Sequence, residues 1–469
     1  MRAVSSRILL AVVPVVAISA FALMGPGCAA RRPTATTPGP PPIPASFSPL
    51  ELAGAWDREH VSWPVPPLIR HADVEARLRE VRLGAPDLFQ AEEIGRSVED
   101  RSINHIWFGH GANHVMLWSQ MHGDEPTATS ALFDIFEQFR RHRAEPAFAR
   151  MLDALTIHAV PMLNPDGAER FQRRNAQGID INRDALRLQT PEGRALKALR
   201  DRLNAPIGFN LHNQGWRTSA GKTGQPAAIS LLSVAFDQAL SGSPGRTLTK
   251  KTAALVRDAL ESLAPGRIAR YDDEYEVRAF GDNLTKWGTS VLLIETGPWP
   301  AAEPDPFLVR LNFVALMTAL DALATGRVNQ ADPRRYDSLP VNEPDELFYL
   351  LIRNATVIPG NSVPPFTADV GIVANRLVRP AGDTREMRMV ARIEDLGDLH
   401  TKSGLESIDA TGLSVAPMWD PALEEGDVVS LPDFSVQRAP RLLAPGEPAE
   451  LVVLRPQGQQ YRVVRVVRY

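Results

Sequence analysis

The chain has 469 residues, more than one compact core usually organises, so we expect two domains with flanking segments. Its 44% hydrophobic and 23% charged residues are ordinary for a globular protein. The 51 basic and 55 acidic side chains leave a formal net charge of −4, which gives no reason to expect a nucleic-acid partner.

The first 30 residues have the pattern of an export signal. Arg2 and Arg7 precede an apolar run at residues 8–23, which as a helix would span about 24 Å, short of a bilayer core of about 30 Å. The single cysteine, Cys28, resembles the lipid-modified cysteine of bacterial lipoproteins, although ordinary cleavage near Ala30 is the alternative. We therefore expect an exported protein without a structural disulfide, either periplasmic or anchored to the outer membrane of a bacterium.

Residues 31–46 are a Pro-rich linker that cannot build a core. After it, strand-like and helix-like segments alternate up to about residue 335. Apolar runs rich in Val, Ile and Leu predict strands at residues 114–120, 155–163, 206–212, 227–233 and 290–296. Apolar residues at helical spacing predict helices at residues 128–143, 192–204, 247–264 and 307–324. This alternation favours an α/β domain over residues 47–335, with a mixed, largely parallel sheet and helices on both faces.

Residues 340–469 have a different residue pattern. Short β-branched runs such as ADVGIVANRLV and YRVVRVVRY alternate with turn residues, which predicts an all-β, sandwich-like domain.

His122 and Glu125 directly follow the first predicted strand of the α/β domain. In a turn, this spacing lets both side chains converge on one ion, and zinc accepts imidazole nitrogen and carboxylate oxygen at about 2 Å. A catalytic zinc site needs a third protein ligand and an open position for water. His212 ends the strand at residues 206–212 and is the best candidate, so the three residues predict one zinc ion per chain. A capped turn is the alternative for His122 and Glu125 taken alone.

Further motifs follow in chain order. They are NPDG at residues 164–167, RRNAQGIDINRD at 173–184, NLHNQ around His212 and LLIETG around Glu295. Together with HGDE at residues 122–125, this set resembles the zinc carboxypeptidases of the carboxypeptidase A type over about residues 90–325. The resemblance implies a phosphorylase/hydrolase-like carboxypeptidase fold, zinc held by His122, Glu125 and His212, and hydrolysis of the C-terminal peptide bond of a peptide.

The same resemblance implies roles for other residues. Glu295 matches the catalytic glutamate, which accepts a proton from the zinc-bound water and later delivers it to the departing amine. Arg173 matches the arginine that holds the developing oxyanion, with the adjacent Arg174 as the alternative. Asn182 and Arg183 match the pair that grips the free carboxylate of the substrate, a task that suits a planar guanidinium.

Two positions near the substrate have competing interpretations. Tyr275 precedes Glu295 at nearly the distance expected of the tyrosine that closes over the substrate, and Tyr271 competes for this role. Asp282 would favour a basic terminal residue if it lay in the side-chain pocket, but a structural aspartate in a turn is at least as compatible with the sequence. The remaining histidines of the region are expected to be packed or capping residues: His105, His110, His114 and His158.

Segments of the tail such as LLIRNATVIPG and ESIDATGLSVAP resemble the small β-domain that flanks the barrel of amidohydrolases. VAPMWDP then runs directly to EEGDVVSLP, with no His-x-His pair and no room for a barrel. We therefore expect an accessory domain with a structural role.

The leading hypothesis is an exported zinc metallocarboxypeptidase that acts on peptides. An amidase or carboxypeptidase acting on peptidoglycan stem peptides and a zinc-dependent deacylase are the enzymatic alternatives. A binding protein with a retired active site is the non-enzymatic alternative, and the sequence feature against it is that no expected ligand or general base is replaced. The sequence leaves the oligomeric state and the preferred terminal residue open.

Overall fold

The computed structural model describes residues 43–301, 303–382 and 384–469. Contacts among residues 42–469 form one compact unit. The expected export signal, Cys28 and most of the Pro-rich linker lie outside the described residues, so these expectations stay predictions. The domain boundary expected between residues 335 and 340 also stays a prediction.

Several helices begin where the sequence places a polar residue directly before a proline. Ser48, Asn164, Thr190 and Ser243 each accept a hydrogen bond from a backbone N–H of the first turn, and each precedes a proline that suits that turn. The α-helices of the described residues are α1 Pro49–Glu59, α2 His71–Gly84, α3 Thr127–His142, α4 Pro146–Ala154, α5 Pro165–Arg170, α6 Pro191–Leu203, α7 Pro244–Glu261, α8 Phe280–Lys286, α9 Pro304–Thr325 and α10 Arg334–Asp337.

The central sheet contains the five predicted strands. The strands of this part of the chain are β1 Gln90–Arg96, β2 Ser102–Gly109, β3 Asn113–Trp118, β4 Leu155–Val160, β5 Ile207–Asn213, β6 Ser219–Ala220, β7 Ile229–Ser233, β8 Ile268–Arg270, β9 Ser290–Thr296 and β10 Asn342–Glu343. Eight form one sheet in the order β1-β2-β4-β3-β5-β9-β7-β8, while β6 pairs with β10. Strands β3, β4, β5 and β9 are parallel, so their carboxyl ends meet at one edge of the sheet.

Strand β7 differs from its neighbours because it runs antiparallel to β9. No α-helix lies between β5 and β7 to carry the chain back across the sheet, as a parallel connection requires.

Helices cover both faces of the sheet, which confirms the predicted fold class. Val115 and Leu117 of β3 pack into a core that includes side chains of α3, α7 and α9, while Met116 and Trp118 pack with α6 and α8 on the other face. Among the described residues, α9 alone is long and apolar enough to cross a bilayer, and 78% of its apolar window is buried inside the fold. It is therefore a core helix.

The tail is all-β, as predicted. Its strands are β11 Leu347–Val357, β12 Phe366–Ala381, β13 Thr384–Gly397, β14 Ser403–Asp409, β15 Ser414–Pro417, β16 Val428–Val429, β17 Leu451–Gln457 and β18 Gln460–Val467. They form one sheet that curls round a shared core containing Val370, Ile393 and Val453. Backbone hydrogen bonds between β13 and residues 446–449, just before β17, bring the two sides of the curl together.

Candidate metal centre

The three expected metal ligands lie at the edge where the parallel strands end. His122 and Glu125 occupy the turn between β3 and α3, and His212 is near the end of β5, which pairs with β3. On the other side of β5, Glu295 of β9 is paired in register with His212. Because β5 lies between β3 and β9, residues far apart in the chain become neighbours.

The two imidazoles and the carboxylate converge. His212 Nδ1 lies 3.1 Å from His122 Nδ1 and 2.6 Å from one oxygen of Glu125, and His122 Nδ1 lies 2.8 Å from the other oxygen. One ligand atom from each residue falls within 4.8 Å of the other two, and all three residues are buried. Two buried imidazole nitrogens and a carboxylate oxygen this close to one another form a donor set that suits zinc.

The electrostatics of the cluster also favour a cation. Burial alone would lower the pKa of His122, but the carboxylates of Glu125 and Asp180 raise it to about 9. Burial would raise the pKa of Glu125, yet the two imidazoles hold it far below its ordinary range. Burial lowers the pKa of His212. The carboxylates around His122 therefore attract positive charge at this point, which a divalent ion would supply.

Asp180 is a member of the site that was not predicted from sequence. Its Oδ1 lies 3.1 Å from His122 Nε2 and accepts the backbone N–H of Asn182, while its Oδ2 accepts from Arg173 Nε at 3.0 Å. A carboxylate on the far nitrogen of a ligating histidine fixes the ring and its tautomer. The signal was present in QGIDINRD, where Asp180 stands two residues before the predicted Asn182.

Arg173, rather than Arg174, reaches the metal cluster. Its Nη1 lies 3.2 Å from His122 Nδ1 and 3.4 Å from Glu125, whereas Arg174 donates to the backbone carbonyl of Gly178. The side chain of Arg173 is 44% exposed, so it borders both the buried ligands and solvent.

Asn182 and Arg183 lie on a short 3₁₀ turn beside the cluster. Asn182 Oδ1 accepts the backbone N–H of Phe280 at 2.9 Å, and Arg183 Nε pairs with Glu276 at 3.2 Å. The side chain of Arg183 is 36% exposed and therefore reaches solvent.

Of the two tyrosines, Tyr271 is the one whose pKa is raised by the carboxylates of the site. The charge of Glu295, followed by burial and the charge of Glu125, raises the pKa of Tyr271. The pKa of Tyr275 is raised by burial and by Asp282 and Asp237, away from the ligands. The charges of the site therefore act on the hydroxyl of Tyr271 rather than on that of Tyr275.

Asp282 lies in the first turn of α8, where its Oδ1 accepts the backbone N–H of Glu276 at 3.1 Å. Burial raises its pKa to about 7. These contacts correspond to a structural aspartate that orders the loop carrying the partner of Arg183.

Glu295 is buried beside the cluster. Burial and the carboxylate of Glu125 raise its pKa to about 8, and within the described part of the chain its Oε2 has no hydrogen-bond partner. A carboxyl group in this position, with one oxygen uncommitted, is able to hold and release a proton.

Part of the chain is similar to a known family. The family model described as zinc carboxypeptidase matches residues 74–222. The match spans the three expected ligands together with Arg173, Asn182 and Arg183, and it confirms the family resemblance predicted from sequence. Glu295 lies beyond the matched residues, so its assignment depends on the sequence motif and the geometry of the sheet.

Curated relatives cover only part of this chain. Carboxypeptidase E of Caenorhabditis elegans is 31% identical over 134 residues, which are 24% of this chain and 28% of that protein. The catalytic chain of carboxypeptidase N from Rattus norvegicus is 28% identical over 176 residues, or 32% of this chain and 36% of that protein. The chain thus spans about a third or less of the length of these relatives.

Similar solved structures are also carboxypeptidases. Carboxypeptidase A from Helicoverpa armigera aligns with a TM-score of 0.46 at 15% identity, covering 59% of this chain and 80% of that chain. A metallo-carboxypeptidase from Burkholderia cenocepacia aligns with a TM-score of 0.44 at 18% identity, covering 55% of this chain and 69% of that chain.

Proposed function

We propose that the chain is a zinc-dependent carboxypeptidase that removes the C-terminal residue of a peptide. The observation that carries the proposal is the convergence of His122 Nδ1, His212 Nδ1 and Glu125 beside a buried glutamate, within a chain that matches the zinc carboxypeptidase family. His122, Glu125 and His212 would hold the ion, and when bound, zinc supplies a Lewis acid that polarises carbonyl and water oxygens.

The remaining side chains support the chemistry around these ligands. Glu295 accepts the proton released by the attacking water and returns it to the amine that leaves. Arg173, at the border between the cluster and solvent, donates hydrogen bonds to the oxygen on which negative charge develops. Asp180 keeps both His122 and Arg173 oriented.

The substrate's free carboxylate binds to the guanidinium of Arg183. The partial exposure of the Arg183 side chain and its position on the turn that follows Asp180 support this assignment. A bidentate pair at this point orients the terminal residue and leaves the preceding peptide bond facing Arg173.

Substitution of Glu295 tests the proposed chemistry. Glu295→Gln keeps the shape of the side chain but cannot accept the proton, so we expect kcat on a blocked dipeptide to fall by about 100-fold or more while one zinc per chain is retained. Zinc content is measured by atomic emission, and Glu80→Gln, on α2 with a side chain that is 70% exposed, is the matched control. Wild-type turnover in the Glu295 variant would contradict the assignment.

Substrates with altered ends test the proposed specificity. A peptide with a free C-terminus should be cleaved, whereas the same peptide amidated at its C-terminus should not, because Arg183 then has no carboxylate to bind. Muropeptide stem peptides and N-acylated amino acids in the same assay decide between this activity, peptidoglycan trimming and deacylation. Equal cleavage of the free and amidated peptides would refute a carboxypeptidase.

We also propose that the protein is exported and anchored through Cys28. The basic start, the short apolar run and the position of Cys28 support this proposal. Expression in a Gram-negative bacterium with radiolabelled palmitate should label the wild-type protein, while Cys28→Ser should appear unlabelled in the periplasmic fraction. Cytoplasmic retention of the wild type would contradict export.

A further inference from the structure

A long hairpin of the tail reaches into the α/β part of the chain. Strands β12 and β13 pair from Asp369 with Gly397 to Ala381 with Thr384, so the end of the hairpin projects away from the curled sheet. Arg385, beside this end, has a side chain that is only 4% exposed. Its guanidinium donates to the backbone carbonyls of Ile69 at 2.7 Å, Pro67 at 3.5 Å and Ala168.

The contact with Ala168 fixes the short helix α5. Ala168 lies near the C-terminal end of α5, and the next residue, Glu169, faces Arg385 at 3.8 Å. Glu169 also accepts hydrogen bonds from Arg70 Nε at 3.1 Å and from the backbone N–H of His71 at 2.9 Å. Arg385 thus ties α5 to the segment that leads into α2.

Helix α5 in turn touches the metal-ligand turn. A Cβ added at Gly123, next to His122, would lie 2.0 Å from the carbonyl carbon of Gly167, so the two backbones are in direct contact. The cap residue of α5, Asn164, donates to the backbone carbonyls of Met121 and Arg173, each at 3.3 Å.

The hairpin formed by β12 and β13 also contacts the loop that follows His212. Trp216 Nε1 donates to Asn375 of β12 at 3.1 Å, and Arg217 pairs with Glu394 of β13 at 3.2 Å. The hairpin therefore contacts the α/β part at two places, at α5 and at the loop that follows His212.

We propose that Arg385 is a positioning residue of the active site, acting through α5 on the His122 turn and on Arg173. The proposal depends on the proposed function for its catalytic part only. A guanidinium suits this task because its planar fork donates to several carbonyls at once, whereas the ammonium of lysine is a point charge on a flexible stem. The β-domain then contributes to catalysis without touching the substrate.

Kinetics and zinc release test this positioning role. In the full chain, Arg385→Ala should lower kcat on a cleaved peptide about 10- to 100-fold with KM within about twofold, because a small displacement of Arg173 weakens its contact with the transition state. Zinc should also leave the variant at least about 5-fold faster than the wild type, measured with a chromogenic chelator, since the His122 turn loses its support. Arg385→Lys should recover part of both losses.

Arg388→Ala is the matched control, because Arg388 lies on the same strand with a side chain that is 67% exposed. It should keep wild-type kcat, KM and zinc release. If Arg385→Ala does not fold, Arg385→Gln takes its place in both measurements.

A lower melting temperature with unchanged kcat and unchanged zinc release would overturn the proposal, because Arg385 would then only stabilise the fold. If the wild type cleaves no peptide, the proposed function fails, while zinc release still decides whether Arg385 supports the metal-ligand turn.

Discussion

A chain of three hydrogen-bonded histidines, of which His105 and His158 are buried, should make the stability of this protein depend on pH. His105 Nε2 lies 3.0 Å from His158 Nδ1, and His158 Nε2 lies 2.9 Å from His114 Nδ1. His105 Nδ1 lies 3.0 Å from Glu92, which also pairs with Arg202. Three neutral imidazoles, each with its proton on Nδ1, satisfy every one of these contacts with the N–H groups pointing towards Glu92.

A second proton on His158 would disrupt this hydrogen-bond chain. Both of its nitrogens would then donate, while His114 Nδ1 already donates to one of them. Burial, followed by the neighbouring imidazoles, lowers the pKa of His158 to about 3 from an ordinary value of 6.5. The unfolded chain therefore binds more protons between pH 6.5 and pH 3, so stability is complete above pH 6.5 and declines as pH falls through this window.

The perturbation is His158→Phe, which removes the titration and both hydrogen bonds. One proton bound only in the unfolded state costs up to about 1.4 kcal/mol per pH unit, and the unfolded His158 is half protonated at pH 6.5. The wild type should therefore lose about 2 kcal/mol more than the variant between pH 6.5 and 4.5. At neutral pH the variant should be less stable by about 1–3 kcal/mol, because the buried His105 and the half-buried His114 each lose a hydrogen-bond partner. The stability gap should therefore narrow or vanish in acid.

Urea unfolding followed by tryptophan fluorescence measures this difference at each pH. A chelator in every sample removes metal, so that protonation of the metal ligands affects both proteins equally. His110→Gln, at a histidine whose side chain is 75% exposed, should keep the wild-type pH dependence. Parallel stability curves for the wild type and His158→Phe would refute the reasoning.

Three further predictions concern the metal centre. Asp180→Asn should weaken zinc binding by about 10- to 100-fold in competition with a chelator, because His122 loses the carboxylate on its far nitrogen, and wild-type affinity would contradict that role. Gly123→Ala should abolish stoichiometric zinc binding, because its methyl group would lie 2.0 Å from backbone, whereas Gly242→Ala has nothing within 4 Å and should bind zinc normally. Tyr271→Phe should lower kcat/KM about 10-fold and Tyr275→Phe less than about twofold, because the charge of Glu295 raises the pKa of Tyr271 only. If peptide kinetics gave the larger loss for Tyr275→Phe, Tyr275 would be the residue that closes over the substrate.

Sequence patterns were sufficient where the interactions are local or strongly apolar. Strands β3, β4, β5 and β9 were predicted because both of their faces are buried, which requires unbroken runs of apolar residues. The turn from His122 to Glu125 was predicted because its two side chains are only three residues apart and need no other element to approach each other.

Other features could not be assigned from sequence with the patterns used. Nothing in the local spacing distinguishes Tyr271 from Tyr275, because both follow β8 in one loop. Only the folded chain exposes the hydroxyl of Tyr271 to the charge of Glu295, which raises its pKa. The antiparallel direction of β7 depends on how the chain leaves β5, which apolar periodicity does not record.

The amino-acid sequence by itself determined five strands of the central sheet, the helices α3, α6, α7 and α9, the order of the motifs and the residue types that suit zinc, because these follow from propensity, periodicity and donor chemistry. The tertiary structure decided which of those residues meet. The order of β3, β5 and β9 in the sheet brings His122, His212 and Glu295 together, and the hairpin of the tail places Arg385 behind α5. Contacts between residues 90 to 217 positions apart depend on chain topology, which no local pattern encodes.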